Sequence, residues 1–237
     1  MITKKFDYHN ISRTNINGKR HYKQPDGIAV PSVTTVLDCT KSAEKKQALE
    51  DWRNSVGHNR AAQIVQEAAD RGTRMHKYLE GFVERDNLPS RGSNPFSWPS
   101  HAMAEIIVEK GLVNADEYWG SEVPLYFPGV YAGTTDCVGV YRGEPAIIDF
   151  KQSNKVKKEE WIEDYKLQLC AYAEAHNELY GTDIQQGVIL MAVKPKTDKQ
   201  GNIVEPPQFL EFSISGNDYY YWRTQWWNRL EQYYSNC

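Results

Sequence analysis

The stretch Gly133-Thr134-Thr135-Asp136-Cys137-Val138-Gly139-Val140-Tyr141-Arg142-Gly143-Glu144-Pro145-Ala146-Ile147-Ile148-Asp149-Phe150-Lys151 decides the fold. Val130 to Tyr141 and Ala146 to Gln152 both read as strands, rich in aromatic and β-branched residues and bounded by turn residues. Arg142-Gly143-Glu144-Pro145 joins them as a hairpin turn. With a two-residue loop, Tyr141 pairs with Glu144 and Asp136 faces Asp149. A four-residue loop puts Asp136 opposite Lys151, and a three-residue loop flips the face, because side chains alternate with period two. In every register Asp149 and Lys151 share a face. Opposed carboxylates repel across a ladder, and a divalent cation between them removes that cost. A lone Asp-x-Lys suits a solvated hairpin better. Here Asp149 ends the apolar run Ala146-Ile147-Ile148, where an unpaired charge is costly.

Asp136 followed by Asp149-Phe150-Lys151 resembles the PD-(D/E)xK nuclease superfamily in its RecB-like branch. Gln168-Leu169-Cys170-Ala171-Tyr172 resembles that branch's Gln-x-x-x-Tyr motif. Gly72-Thr73-Arg74-Met75-His76, with Glu80, resembles its upstream Gly-Thr-x-x-His motif. Ser32-Val33-Thr34-Thr35-Val36-Leu37 and Glu122 on the first core strand also match. From about Ser32 to the C-terminal Trp/Tyr-rich helix, the chain is similar to the mitochondrial genome maintenance exonuclease family, which digests single-strand DNA. Each motif alone is unspecific, but four in this order are specific.

Composition bounds the other classes. The 237 residues are 40% hydrophobic and 25% charged, which is ordinary for a globular chain with one sizeable core. A net charge of −3 gives no global basic field, so nucleic-acid binding needs local patches and a metal. No apolar run reaches the roughly 20 residues of a membrane span. Met1 to Asp7 has neither an apolar signal core nor an Arg-rich amphipathic leader, so the expectation is a cytoplasmic protein of bacterial or phage origin. Cys39, Cys137, Cys170 and Cys237 are scattered, as expected of free thiols in a reducing compartment. Some RecB-like relatives hold an iron–sulfur cluster on a clustered C-terminal cysteine trio. That trio is missing here, so no cluster is expected.

Along the chain, Arg13 to Tyr22 reads as a hairpin turning at Asn17-Gly18. Ser32 caps a short helix. Ala43 to Ala69 is helical in pattern with a break at Gly57; Gly72 reads as its end and Thr73 as the cap of the next helix. Ser90 to Pro99 is a loop. Lys151 to Lys158 leaves the Asp149 strand as a basic loop, the usual mark of a solvated segment and, beside a metal site, a grip for a DNA backbone. Glu159 to Tyr180 is a helix with Trp161, Tyr165, Gln168 and Tyr172 on one face. Gly187 to Val193 reads as a strand buried on both faces. Asp218 to Tyr234 is a last helix packed through its tryptophans.

The expected fold is α/β, a central mixed sheet flanked by helices with a restriction-endonuclease-like core. Residues 1–115 form a hairpin and helical subdomain over the active site, contributing His76; residues 116–237 form the nuclease core. The resemblance implies Mg²⁺ or Mn²⁺ on Asp136, Asp149, the Phe150 carbonyl and His76. Lys151 orients water or stabilises developing charge, with Glu122 and Gln168 also catalytic. Gln168, Tyr172, Ser153, Lys155, Lys157 and Lys158 are the expected contacts to single-stranded DNA, bound by a monomer with no membrane role. A structure-specific endonuclease and a non-catalytic single-strand DNA-binding protein remain open alternatives.

Overall fold

The computed structural model describes residues 1–85 and 87–236. Asn17 and Gly18, both at positive φ (51° and 76°), make the tight turn between β1 (Ser12–Ile16) and β2 (Lys19–Lys23), as a type I′ hairpin requires. β3 (Ala29–Pro31) completes this small sheet. Ser32 Oγ accepts from the Thr35 N–H at 3.0 Å and starts α1 (Val33–Cys39). Ser42 caps α2 (Ala43–Val56) in the same way, and Gly57 at φ 84° breaks the chain before α3 (His58–Arg85).

The expected boundary at Gly72-Thr73 is absent, since α3 runs through it unbroken. Met75, Leu79 and Val83 form a stripe buried with the sheet residues Ile148, Phe150 and Leu190, and tertiary burial outweighs the local break signal of one glycine. Gly72 packs beside Gln152, whose Cγ would lie 3.4 Å from a Cβ placed there, an ordinary contact distance. His76 therefore lies mid-helix, not in a first turn.

After α4 (Trp98–Lys110) come β4 (Ala115–Phe127), β5 (Tyr131–Tyr141) and β6 (Glu144–Ser153). Then follow α5 (Glu163–Tyr180), β7 (Gln186–Val193), the short pair β8 (Lys196–Thr197) and β9 (Ile203–Glu205), β10 (Gln208–Ser215) and α6 (Gly216–Asn236). The main sheet has the order β10-β7-β6-β5-β4. Only β6 and β7 run parallel, joined by the α5 crossover; the other neighbours are antiparallel.

Helices cover both faces. α1, α5 and α6 pack on one, around Ile147, Ile189 and the fully buried Trp226. α3 and α4 pack on the other, around Ile148, Phe150 and Leu190. β7 sends alternate residues into each layer, as its continuous apolar run implied. Residues 1–115 are thus divided between the layers, with α1 on one face and α3 and α4 on the other. Among the described residues no helix is long and apolar enough to cross a membrane. Cys39, Cys137 and Cys170 are free thiols; Cys237 lies outside the described residues.

Candidate active site

Arg142 (φ 50°) and Gly143 (φ 84°) form a two-residue turn, and Tyr141 pairs with Glu144. That selects one register from the three, with Asp136 and Asp149 next in line on the same face. The β5–β6 ladder ends at Cys137–Ile148, one pair short of them, while β6 stays paired with β7 to Ser153. Beyond the split, Ser32 bridges Ala132 and occupies the side of β5 that β6 has left. The Phe150 N–H, having lost a backbone acceptor, donates to Asp136 Oδ2 at 2.6 Å. A strand residue's N–H and C=O share a side, so the Phe150 carbonyl faces the same gap.

Three further elements converge there. Glu122 on β4 lies at the register position opposite Asp136, between the pairs Ser121–Cys137 and Val123–Thr135. Its φ of 47° is a left-handed conformation that costs a non-glycine residue about 1–3 kcal/mol and redirects its side chain. His76 approaches from α3 on the other face. Its ring meets Phe150 edge-on, with centroids 6.2 Å apart, and its Nδ1 lies 3.2 Å from Asp136 Oδ1. Ligand atoms of His76, Glu122 and Asp136 all fall within 4.8 Å of one another. Asp149, only 2% exposed, is not in that group; the Lys151 ammonium forms an ion pair with its Oδ2. Lys151 in turn lies 5.0 Å from the Tyr165 ring centroid.

The charges are unevenly held. Burial alone would raise Asp136, but His76, Lys151 and the Phe150 N–H keep its carboxyl below the usual range. Asp149 is pushed up to about 6 by burial; Lys151 opposes the rise and Asp136 adds to it. Glu122 is exposed at the cleft mouth as a residue, yet its carboxyl is raised to about 7, by partial burial first and then by Asp136. Burial works against protonated His76 and Lys151, but the carboxylates outweigh it and raise both. The centre therefore has one firmly ionised carboxylate, two that hold protons easily, and an ammonium that stays charged.

A hard divalent cation fits this donor set. Carboxylate oxygens and one imidazole suit Mg²⁺ or Mn²⁺. Asp149 Oδ2 is buried with the Lys151 ammonium as its partner, and the carboxylate still has lone pairs to offer a cation. His76, Glu122 and Asp136 are the residues grouped at ligand spacing, with Asp149 and the Phe150 carbonyl at the margin of the same gap.

The other expected residues take varied places. Gln168 Nε2 donates to the Tyr172 hydroxyl at 3.2 Å. Tyr172 is buried against Gly133, where a Cβ would meet its ring at 2.7 Å. The Ser153 hydroxyl, also buried, closes a turn by donating to the Lys155 carbonyl. Lys155 and Lys157 line a cavity next to the site. Lys158 instead turns to Glu160, at 4.0 Å, and to the Trp161 ring. Sequence reasoning placed Glu122 in catalysis without seeing it as a candidate ligand. It also passed over Tyr165, although Tyr165 stands in the same helical stripe as Gln168 and Tyr172.

No family model matches the sequence. The chain is similar to mitochondrial genome maintenance exonuclease 1 of Mus musculus, 29% identical over 213 residues that cover 86% of this chain and 59% of that protein. The Homo sapiens protein of the same name is 29% identical over 215 residues, 86% of this chain and 58% of that one. The chain thus spans about three fifths of the length of these curated relatives. Among solved structures, a putative exonuclease from Eubacterium rectale aligns with a TM-score of 0.45 at 14% identity, over 70% of this chain and 64% of that one. An alkaline exonuclease from Laribacter hongkongensis aligns with a TM-score of 0.37 at 12% identity, over 87% and 86%. By sequence, along most of its length, the chain is a relative of the mitochondrial genome maintenance exonuclease family.

Proposed function

We propose that the chain is a nuclease, dependent on Mg²⁺ or Mn²⁺, that hydrolyses single-stranded DNA from a free end and acts as a monomer. One observation carries the reading: His76, Glu122 and Asp136 reach ligand spacing beside an Asp149–Lys151 ion pair, on four separate elements. A scattered surface set of charges has no reason to meet at a split between strands. The ion, when bound, supplies Lewis-acid polarisation of a phosphoryl oxygen and acidifies water.

The chain's own groups do the remaining work. Asp149 holds Lys151 in place, and the lysine keeps its proton at Nζ because the carboxylates raise its pKa. Lys151 therefore acts as a fixed positive charge towards the phosphate rather than as a base. His76 reaches Asp136 from the opposite face and aims its carboxylate. Tyr165 shields the ammonium from solvent on one side. Gln168, steadied by Tyr172, is assigned to the scissile phosphate or to Lys151.

The cleft lined by His76, Glu122, Lys151 and Tyr165 has a volume of about 700 Å³ and lies between α3, β4 and β6. It is an open groove, so end dependence rests on the relatives' being named exonucleases, not on a closed passage. Trp52 lines the adjoining cavity and Tyr78 lines another, placed for base stacking, which tolerates any sequence. Trp161 is 56% exposed and lines neither.

Linear and covalently closed circular single strands of one sequence, incubated with Mn²⁺ and then with chelator, test the reading. Linear strands should shorten from an end only with metal, and circles should persist. Nicking of circles favours an endonuclease on the same centre. Metal-independent binding with no cleavage of either favours a non-catalytic DNA-binding protein.

A further inference from the structure

The site cleft shares Gln152 and Tyr165 with a cavity of about 730 Å³ between α2, the start of α3 and the loop after β6. On its other side it shares Lys77 and Glu80 with a cavity of about 480 Å³ at the end of α3. Together they form one trough along α3, from Arg60 to Arg85. At 1.5 Å per helical residue this is roughly 38 Å, room for several nucleotides.

The two ends differ in charge. The first cavity is lined by five cations, Arg60, Arg71, Lys155, Lys157 and Lys194, against one carboxylate, Glu67. The far cavity has three, Arg74, Lys77 and Arg85, against Glu80 and Glu84. In a chain of net charge −3, the first is a local concentration of positive charge.

Arg71 stands out within it. Its Nε and Nη2 donate to Gln152 Oε1 at 3.1 and 2.8 Å, and Nη2 also donates to Asn154 Oδ1. Both acceptors are neutral amides. Glu67, the one carboxylate lining the cavity, pairs with Arg60 at 3.6 Å and acts on Arg71 only through space, without a hydrogen bond to it. A guanidinium fixed by amides keeps its full charge and has already lost its side-chain freedom, so little further entropy is lost when it takes a phosphate. Gln152 follows Lys151 directly in β6, which ties the clamp to the reacting centre.

We propose that the Arg71 end of the trough holds the backbone of the DNA strand that remains uncut. Arg71 grips the phosphate next to the scissile one, and Lys155, Lys157 and Lys194 grip those beyond it. Released nucleotides leave by the nearly neutral Tyr78 end. This rests on the nuclease reading above, which fixes where the scissile phosphate sits.

The test is binding of fluorescein-labelled oligo(dT) in chelator, followed by anisotropy across a salt series, with steady-state cleavage in Mn²⁺ alongside. Arg71→Met should weaken binding at least tenfold and reduce the slope of log affinity against log salt by about 0.7, the signature of one lost phosphate contact on a single strand. It should raise KM more than it lowers kcat. Arg71→Lys should recover the slope but only part of the affinity, because lysine lacks the planar fork. Lys194→Gln, at an exposed position whose backbone N–H alone bonds the fold, should lower the slope similarly and carries the test should Arg71→Met fail to fold. Arg85→Gln at the far end should lower it less. Wild-type slopes in both Arg71→Met and Lys194→Gln overturn the proposal while leaving wild-type cleavage, and with it the nuclease reading, intact. A drop in Arg85→Gln equal to that in Lys194→Gln overturns the assignment of the two ends. Absence of cleavage by the wild type overturns the nuclease reading and, with it, the assignment of cut and uncut sides.

Discussion

Lowering the pH from 8 to 6 should weaken Mn²⁺ binding at the His76–Glu122–Asp136 group, and Glu122 alone should account for about a factor of ten. A metal takes the carboxylate and must displace the proton from the acid. With its carboxyl raised to about 7, Glu122 is about 90% ionised at pH 8, half ionised at pH 7 and about 10% ionised at pH 6. Apparent affinity follows the ionised fraction, so proton competition at this one side chain costs roughly 1.3 kcal/mol over the two units. His76, also raised, adds a loss of the same sign. Asp136, held low, stays ionised and adds none. Glu122→Gln should therefore bind Mn²⁺ more weakly at pH 8 and lose about tenfold less on going to pH 6. Glutamine has the same backbone preferences as glutamate, so the left-handed conformation does not confound the comparison. Calorimetric titration of metal-free protein with MnCl₂ at pH 6, 7 and 8 and constant ionic strength reads both numbers. A wild-type affinity flat across the range, or a variant profile as steep as wild type, would refute Glu122 as a ligand titrating near neutrality.

Three other outcomes are expected. In chelator, the melting temperature should rise as pH falls from 8 to 6.5: folded-state pKa values of Glu122, Asp149 and His76 all lie above their ordinary values, so the native state binds more protons there, while below that range His176, which burial holds down to about 4, opposes the rise. Saturating Mn²⁺ should reverse that trend, and differential scanning calorimetry in both buffers checks it. Lys151→Met should abolish cleavage by at least about 100-fold while keeping Mn²⁺ binding by calorimetry. It should also destabilise the metal-free protein at pH 8, by at most roughly 3 kcal/mol, since buried Asp149 loses the ammonium that opposes its rise and must either stay charged or take up a proton. Gly133→Ala would place a Cβ 2.7 Å from the Tyr172 ring and 2.8 Å from its hydroxyl; denaturant titration should show a loss of about 1–3 kcal/mol, and cleavage should fall as Gln168 loses its acceptor.

Much of the candidate site was legible in the sequence because it depends on local pattern. The Asp136 strand, the Arg142-Gly143 turn and the apolar run ending at Asp149 each follow from period-two alternation and turn chemistry. They fix Asp149 and Lys151 on one face whatever the register. The motif order brought in His76, Gln168 and Tyr172, with no information about distance. Helix starts at Ser32 and the break at Gly57 were legible for the same local reason: a side-chain cap and a positive φ act within a few residues.

What only the tertiary structure decided depends on elements far apart in the chain. Gly72 reads as a stop in isolation, yet burial of Met75, Leu79 and Val83 against the sheet carries α3 straight past it, and that sets the height of His76 over the gap. The left-handed turn at Glu122 has no sequence mark, so its meeting with His76 and Asp136 emerges only when β4 pairs with β5. Whether Asp149 faces Asp136 or is taken by Lys151 depends on where β5 and β6 part, and Ser32, more than a hundred residues upstream of Asp136, occupies the side of β5 beyond the split. Arg71 carried no signal at all: its meaning lies in the amides of Gln152 and Asn154, about eighty residues downstream. Local preference is a few tenths to about one kcal/mol per residue; burial and pairing across the sheet are larger and non-local, and they decided the positions on which the chemistry depends.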